Sequence, residues 1–242
     1  QHEQGPQRRI HRYIMSRRCV IIGGAKISRY DLISGYLRPG DFNIYCDCGL
    51  KHHQSLGAVP DLIVGDFDSY PVPAELMATG MSKTAAKCSE DKADDLQIIA
   101  LPREKDDTDT VFAAKEALRR GFDDFLLIGM TGQRMDHTLA NLSILLMLDS
   151  AGVKAVMADD FSLMEIVSDA PAYIDSSFEY FSLLNISGTA RDITIENAKF
   201  PLSGGEITCE YQYGVSNEVL PGMTARVTVG DGRLLLVKVF HG

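Results

Sequence analysis

The sequence predicts an α/β N-terminal domain with a mostly parallel sheet, followed by an all-β sandwich C-terminal domain. Three observations carry that reading. From Cys19 to about Met157, short apolar runs alternate with helical patterns, as they do where helices cross between parallel strands. After about residue 160 the segments alternate polar with apolar or become β-branched, the habit of half-buried antiparallel strands. The 242 residues are 45% hydrophobic, enough for a packed core in each part. The division falls at residues 15–160 and 161–242, with residues 1–14 a polar, arginine-bearing extension, disordered or expression-derived.

Residues 20–22 read as the first strand, ending in Gly23-Gly24, with Ser28 placed to cap the helix that follows. Residues 42–45 form a second strand that delivers Asp47 at its end. Residues 62–64 are a third, running into a turn with Asp66 and Asp68, and residues 98–101 a fourth, closed by Pro102. Asp107 or Thr108 caps a helix to about Arg120, with Val111, Ala114 and Leu118 facing inward and Gly121 as its stop. Residues 125–128 are a fifth strand, and residues 135–148 a strongly apolar helix. In the second part, residues 191–196, 206–211, 225–229 and 234–239 read as strands. Glycines punctuate them, and Asp231-Gly232 reads as a tight hairpin turn.

The formal net charge of −9 argues against broad attraction to a nucleic-acid backbone or an anionic membrane, so no nucleic acid is expected as a partner. No run approaches the roughly 18 apolar residues needed to span a bilayer, and no signal segment opens the chain, which predicts a cytoplasmic protein. Five cysteines without a regular framework read as free thiols in a reducing compartment. Cys46 and Cys48 lack the further ligands of a zinc site. His52 and His53 are adjacent and read as a solvated loop or helix face.

Chemistry concentrates after the predicted strands. Asp66 and Asp68 stand two apart in Gly65-Asp66-Phe67-Asp68-Ser69, so in extended chain their carboxylates share a face. Two such anions repel by roughly 4 kcal/mol at an effective dielectric of about 20, a cost a divalent cation removes. Asp106 and Asp109 in Lys105-Asp106-Asp107-Thr108-Asp109 share a face if a helix starts there, while Asp107 is read as a cap or surface charge. One or two carboxylates plus substrate phosphates are how Mg²⁺ is commonly held, which points to a metal-dependent phosphate site. A third group runs from Gly129 to His137 and on to Asn141. Its glycines permit a turn whose amides face an anion, and Arg134 can grip phosphate with two parallel hydrogen bonds. His137 and Asn141 lie four apart on a helix otherwise crowded with leucines, so their shared face is expected to be partly buried with polar partners. The G-x-x-x-x-G-K-[ST] loop, the G-x-G-x-x-G fingerprint and the G-x-S-x-G elbow are absent.

These three groups, in this order and followed by a β-rich part, resemble the thiamine pyrophosphokinase family. The likeness extends from Cys19 onward and includes Pro60-Asp61 before the first group and Gly214-Val215-Ser216-Asn217-Glu218 near the C-terminus. It implies transfer of the pyrophosphoryl group of ATP to thiamine, giving thiamine diphosphate and AMP. It also implies a homodimer whose thiamine sits between the α/β domain of one subunit and the β domain of the other. Carried over by position, Asp66, Asp68 and Asp109 would hold Mg²⁺, with Asp106 a further ligand or water-mediated partner. Asp47, Arg134, Asp136, His137 and the turn containing Gly129, Thr131 and Gly132 would frame ATP. Ser216 and Asn217 would contact thiamine from the partner subunit.

Two departures stand out. Asp47-Cys48-Gly49 replaces the family's frequent Asp-Gly-Gly. The chain also has no tryptophan, so Tyr211, Tyr213 or an aliphatic wall must take the place of indole stacking on thiamine. Two other classes compete. One is a Mg²⁺-dependent phosphohydrolase using the same carboxylates with water as acceptor. The other is a nonenzymatic nucleotide or thiamine sensor, against which the intact set of carboxylates argues, since binding alone does not require it.

Overall fold

The computed structural model describes residues 17–67, 71–74, 76, 96–104, 106–132 and 134–242. Asp68, Ser69, Lys105 and the expected extension at residues 1–14 lie outside that set. The first half is a parallel sheet of β1 (Arg18–Ile22), β2 (Phe42–Cys46), β3 (Leu62–Gly65), β4 (Gln97–Ala100), β5 (Asp124–Ile128) and β6 (Lys154–Ala158). In space the order is β4-β3-β2-β1-β5-β6. Its inner strands β1, β2, β3 and β5 are near-continuous apolar runs because both faces are covered. Cys19 and Ile21 of β1 belong to a core closed by Ala113, Ala114, Ala117, Leu145 and Leu148. Val20 and Ile22, alternating with them, belong to a second core with Ile27, Ile33, Leu50 and Leu56.

The first core is supplied by α3 (Asp109–Arg119) and α4 (Met135–Ser150). The second is supplied by α1 (Tyr30–Ser34), a 3₁₀ turn over Asp47–His52, and α2 (His53–Leu56). As expected, Thr108 caps α3, its Oγ1 accepting from Val111 N at 3.3 Å. The alanines Ala113, Ala114 and Ala117 form the buried centre of that helix, and Val111 and Leu118 flank them only partly buried. Small side chains there let the helix lie close on the sheet. Ser28 does not cap α1. Arg29 holds the cap position without a side-chain bond, and the Asp160 carboxylate accepts from the backbone amides of Ser28 and Arg29 from across the sheet.

Beyond β6 the chain reverses through Asp159-Asp160-Phe161 into β7 (Ser162–Val167), which pairs antiparallel with β6. The same sheet continues through β14 (Leu234–Phe240) and β9 (Phe178–Leu184) to an edge strand, β12 (Gly214–Asn217), ten strands in all. A second antiparallel sheet, ordered β11 (Leu202–Thr208), β10 (Thr189–Glu196), β13 (Ala225–Thr228) and β8 (Ala172–Ile174), faces its C-terminal half. Phe181, Leu183, Leu234 and Leu236 meet Ile193, Ile195, Ile207 and Val227 in the core of this sandwich. Asp231-Gly232 is not a hairpin turn. It joins β13 in one sheet to β14 in the other, and Asp231 forms a backbone bridge with Arg191 on the way. Among the described residues no helix is long and apolar enough to cross a membrane.

Candidate functional site

All six parallel strands end on one side, and their order reverses between β1 and β5: the chain steps from β1 outward to β4, then returns to β5 and β6. Such a reversal is the usual ligand position in an open α/β sheet, beyond the carboxyl ends of the strands. Gly23 N donates to Ile128 O and Ala25 N to Gly129 O, each at 2.9 Å, so the two loops run backbone to backbone. A Cβ on Gly23 would stand 2.5 Å from Gly129 O, which is why glycine occupies the position. Gly129 itself takes φ +64° and turns the chain away from β5.

The acidic half of the site lies after β2, β3 and β4. Asp47 begins the 3₁₀ turn at φ +38°, and its Oδ1 is buried with no hydrogen-bond partner among the described residues. Its Oδ2 accepts from the Cys48 thiol at 3.2 Å. A Cβ on Gly65 would lie 3.1 Å from the Asp47 Cα, so the glycine before Asp66 is what lets the ends of β2 and β3 close together. Asp66 follows directly, half-buried, and Phe67 takes φ +59°. The Cys46 thiol donates to the Asp109 carbonyl at 3.7 Å, which draws the start of α3 against the end of β2. Asp47 and Asp66 therefore follow neighbouring strand ends, and Asp109 opens the helix drawn against the first of them. Asp106 is exposed in the turn before α3, and Asp107 pairs with Lys115, both oxygens within 2.9 Å of Nζ.

These donors are carboxylate oxygens, the ligand type a hard divalent cation prefers, and the unpartnered Asp47 oxygen is an acceptor left for a cation or a donor. Among the described residues no group of three or more acidic, histidine or cysteine side chains is close enough to hold a metal. Asp68, the member that would complete the set, is outside them.

Most of the residues expected to frame a nucleotide lie around the turn after β5 and the start of α4. Thr131 Oγ1 donates to Asp159 Oδ2 at 2.9 Å, and Gly132 N donates to Thr138 Oγ1 at 3.1 Å. Arg134 precedes α4 and makes a two-point ion pair with Asp136, at 2.6 and 3.3 Å, with both side chains more than half exposed. That pairing holds the Asp136 carboxyl below its usual range and the guanidinium above its own. The expectation that His137 and Asn141 share a buried face fails for the histidine, which is exposed. Asn141 is buried, donates to Met130 O and accepts from Thr110 Oγ1, both at 2.8 Å. It thereby ties the start of α3, in the acidic half, to the β5 turn.

Ser216 and Asn217 sit on β12, well along the sheet. Ser216 is exposed at φ +57°, its amide donating to Ser182 Oγ at 3.0 Å. Asn217 is buried and engaged within the chain: Oδ1 accepts from Phe200 N and Glu218 N, and Nδ2 donates to Phe200 O. Its contribution is to shape the edge that presents Ser216. Tyr211 and Tyr213 are exposed with ring centroids 5.4 Å apart, and the Tyr213 hydroxyl donates to Glu206 O.

Sequence reasoning passed over several residues that shape this end of the sheet. His52 is not on a solvated face. It is 2% exposed, with Tyr30 Oη and Ala25 O each 2.7 Å from a ring nitrogen. Burial lowers its pKa from the ordinary value. Cys48 packs its Cβ against Gly24, and Lys51 Nζ donates to Gly24 O. The available signal was positional: Gly23-Gly24 and Asp159-Asp160 each directly follow a strand, where an open sheet collects functional groups.

Residues 34–157 match the family profile described as "Thiamin pyrophosphokinase, catalytic domain", and residues 171–234 match "Thiamin pyrophosphokinase, vitamin B1 binding domain". The thiamine pyrophosphokinase of Bacillus subtilis (strain 168) is 27% identical over 203 residues, 83% of this chain and 88% of that protein. The crystal structure of thiamine pyrophosphokinase from Bacillus subtilis aligns with TM-score 0.76 and 24% identity over 93% of this chain and 100% of the other. That of Geobacillus thermodenitrificans thiamin pyrophosphokinase aligns with TM-score 0.73 and 23% identity over 93% and 98%. The structural likenesses are likenesses of fold.

Proposed function

The chain belongs to the thiamin pyrophosphokinase family, and on that footing we propose that it transfers the terminal pyrophosphoryl group of ATP to the hydroxyethyl oxygen of thiamine, giving thiamine diphosphate and AMP. One observation carries the reading: both family profiles match in order on a fold whose acidic residues follow neighbouring parallel strands, beside the glycine-bearing turn after β5. The α/β part, residues 15–160, would bind ATP, and residues 161–242 would bind thiamine.

Asp66, Asp68 and Asp109 would hold Mg²⁺, with Asp106 nearby, and the unpartnered Asp47 oxygen supports a cation or donor at the same place. When bound, the metal would neutralise phosphate charge and orient the triphosphate. Asp47, Asp136, His137 and the amides of the turn containing Gly129, Thr131 and Gly132 would frame the nucleotide. Arg134, exposed and paired with Asp136, is able to turn its fork toward phosphate oxygens. The thiamine hydroxyl would attack the β-phosphorus in line with the departing AMP, a reaction that depends mostly on positioning and charge stabilisation. Asp68 or Asp106 would take the hydroxyl proton.

Ser216 would meet thiamine across a homodimer interface, with Asn217 fixing the strand that carries it. The edge position of β12 and the exposed Phe200, Tyr213 and Val215 around it support a partner there. A cytoplasmic site of action belongs to the same reading.

The test is a coupled assay of AMP and thiamine diphosphate with purified protein, ATP and Mg²⁺, with and without thiamine. Matched formation of both products, abolished by a chelator, is the expected result. Phosphate release without thiamine would instead indicate a hydrolase, and a folded protein without turnover a sensor.

A further inference from the structure

We propose that His52 is a positioning residue for the nucleotide end of the site, one that holds the Gly129–Gly132 turn in place through the Ala25 peptide without touching substrate. The inference rests on the proposed function, since it assigns that turn to ATP. The His52 ring is buried and both its nitrogens are engaged. A carbonyl oxygen only accepts, so Nε2 carries the hydrogen and donates to Ala25 O, which leaves Nδ1 to accept from the Tyr30 hydroxyl.

Ala25 is thereby held through both of its backbone polar groups, because its N–H donates to Gly129 O at 2.9 Å. The turn also rests on the Ala25 side chain: a Cβ on Gly132 would stand 3.2 Å from the Ala25 Cβ. A relay therefore runs from Tyr30 on α1, through His52 at the end of the 3₁₀ turn, to Ala25 after β1 and Gly129 after β5. It crosses the switch point of the sheet and joins the segment that begins with Asp47 to the β5 turn. Removing the imidazole takes from the part-buried Ala25 carbonyl and Tyr30 hydroxyl the partner each has in the ring, and the loop after β1 shifts to find others. The turn that rests on it would move as well.

The experiment compares His52→Leu, His52→Gln and Tyr30→Phe with the unmodified chain, measuring kcat, the KM values for ATP and thiamine, and the Kd of MgATP by calorimetry. A lost buried hydrogen bond corresponds to roughly tenfold. His52→Leu should therefore raise the ATP KM and Kd about tenfold, with kcat and the thiamine KM within about twofold. His52→Gln, whose amide can still donate to Ala25 O, should recover most of the loss. Tyr30→Phe should raise the MgATP Kd by about threefold. If His52→Leu does not fold, Tyr30→Phe decides the matter. A MgATP Kd at the wild-type value in folded His52→Leu, or in Tyr30→Phe where His52→Leu does not fold, overturns the proposal, as does a fall in kcat with the ATP KM unchanged. A wild-type chain that binds MgATP but transfers nothing to thiamine removes the proposed reaction, and the Kd comparison then still decides the role of His52. A wild-type chain that binds no nucleotide overturns both.

Discussion

Gly129→Ala separates two costs that are usually entangled. Gly129 has φ +64° and Gly121 φ +81°, so alanine at either position enters the left-handed region, at a cost of about 1–2 kcal/mol. The surroundings differ. An added Cβ at Gly121 meets nothing within 4 Å, whereas at Gly129 it runs into the Gly23 carbonyl oxygen, with the Gly23 carbonyl carbon 3.2 Å away. That oxygen is backbone and cannot swing aside as a side chain would. Forcing extra volume into packed structure costs a further ~1–3 kcal/mol. The expectation is about 1–2 kcal/mol for Gly121→Ala and about 2–5 kcal/mol for Gly129→Ala. Urea unfolding followed by far-UV dichroism and tyrosine fluorescence would measure both, the chain having no tryptophan. The ATP KM should rise for Gly129→Ala alone. Equal destabilisation by the two substitutions would refute the account of the β1–β5 approach, because the backbone term is common to both.

Four other outcomes follow from the same structure. Arg18 makes a two-point pair with Asp41 at 2.6 and 2.7 Å, with side-chain exposures of 10% and 5%, so Asp41→Ala should destabilise by about 3–5 kcal/mol in a denaturant titration. Arg134→Ala should leave the melting temperature unchanged, its ion pair being exposed, while raising the ATP KM at least about tenfold. Asp68→Asn should depress turnover far more than stability, since it weakens the proposed metal site while relieving like-charge repulsion; wild-type activity in the folded variant would sink the metal assignment. His52 is held neutral chiefly by burial, with Lys51 lowering its pKa further and Asp160 and the Ala25 carbonyl opposing. The unfolded chain takes up that proton near pH 6.5, before the folded chain does, so the stability is complete above about 6.5 and is lost as pH falls below it. Melting temperatures at about pH 7.5 and 5.5 should fall less in His52→Gln than in the wild type.

What the sequence determined by itself was whatever depends on neighbours along the chain. The apolar runs that became β1 to β5 were legible because short buried strands need consecutive apolar residues. The Thr108 cap was legible because the cap bond spans only three residues. The placing of Asp47, Asp66, Asp109 and the Gly129 turn just after strands followed from the same local patterns.

The tertiary structure decided everything that depends on partners distant in sequence. The backbone amides of Ser28 and Arg29, just before α1, are met by Asp160, because the β6–β7 turn lies over them in space, and the Ser28 side chain caps nothing there. Asp231-Gly232 carries the pattern of a hairpin, but hydrogen bonds to other strands assign its flanks to opposite sheets. The adjacent His52 and His53 are indistinguishable as letters, and only the closure of the loop after β1 buries the first while the second stays half-exposed. Asn217 has the side chain of a ligand-binding residue, yet the Phe200 backbone, 17 residues earlier in the chain, engages both its amide oxygen and its amide nitrogen. A hydrophobic pattern states which residues leave water. Which polar atoms then find each other is a matter of three-dimensional proximity, because an unpaired buried polar group is costly and the fold settles where its partner comes from.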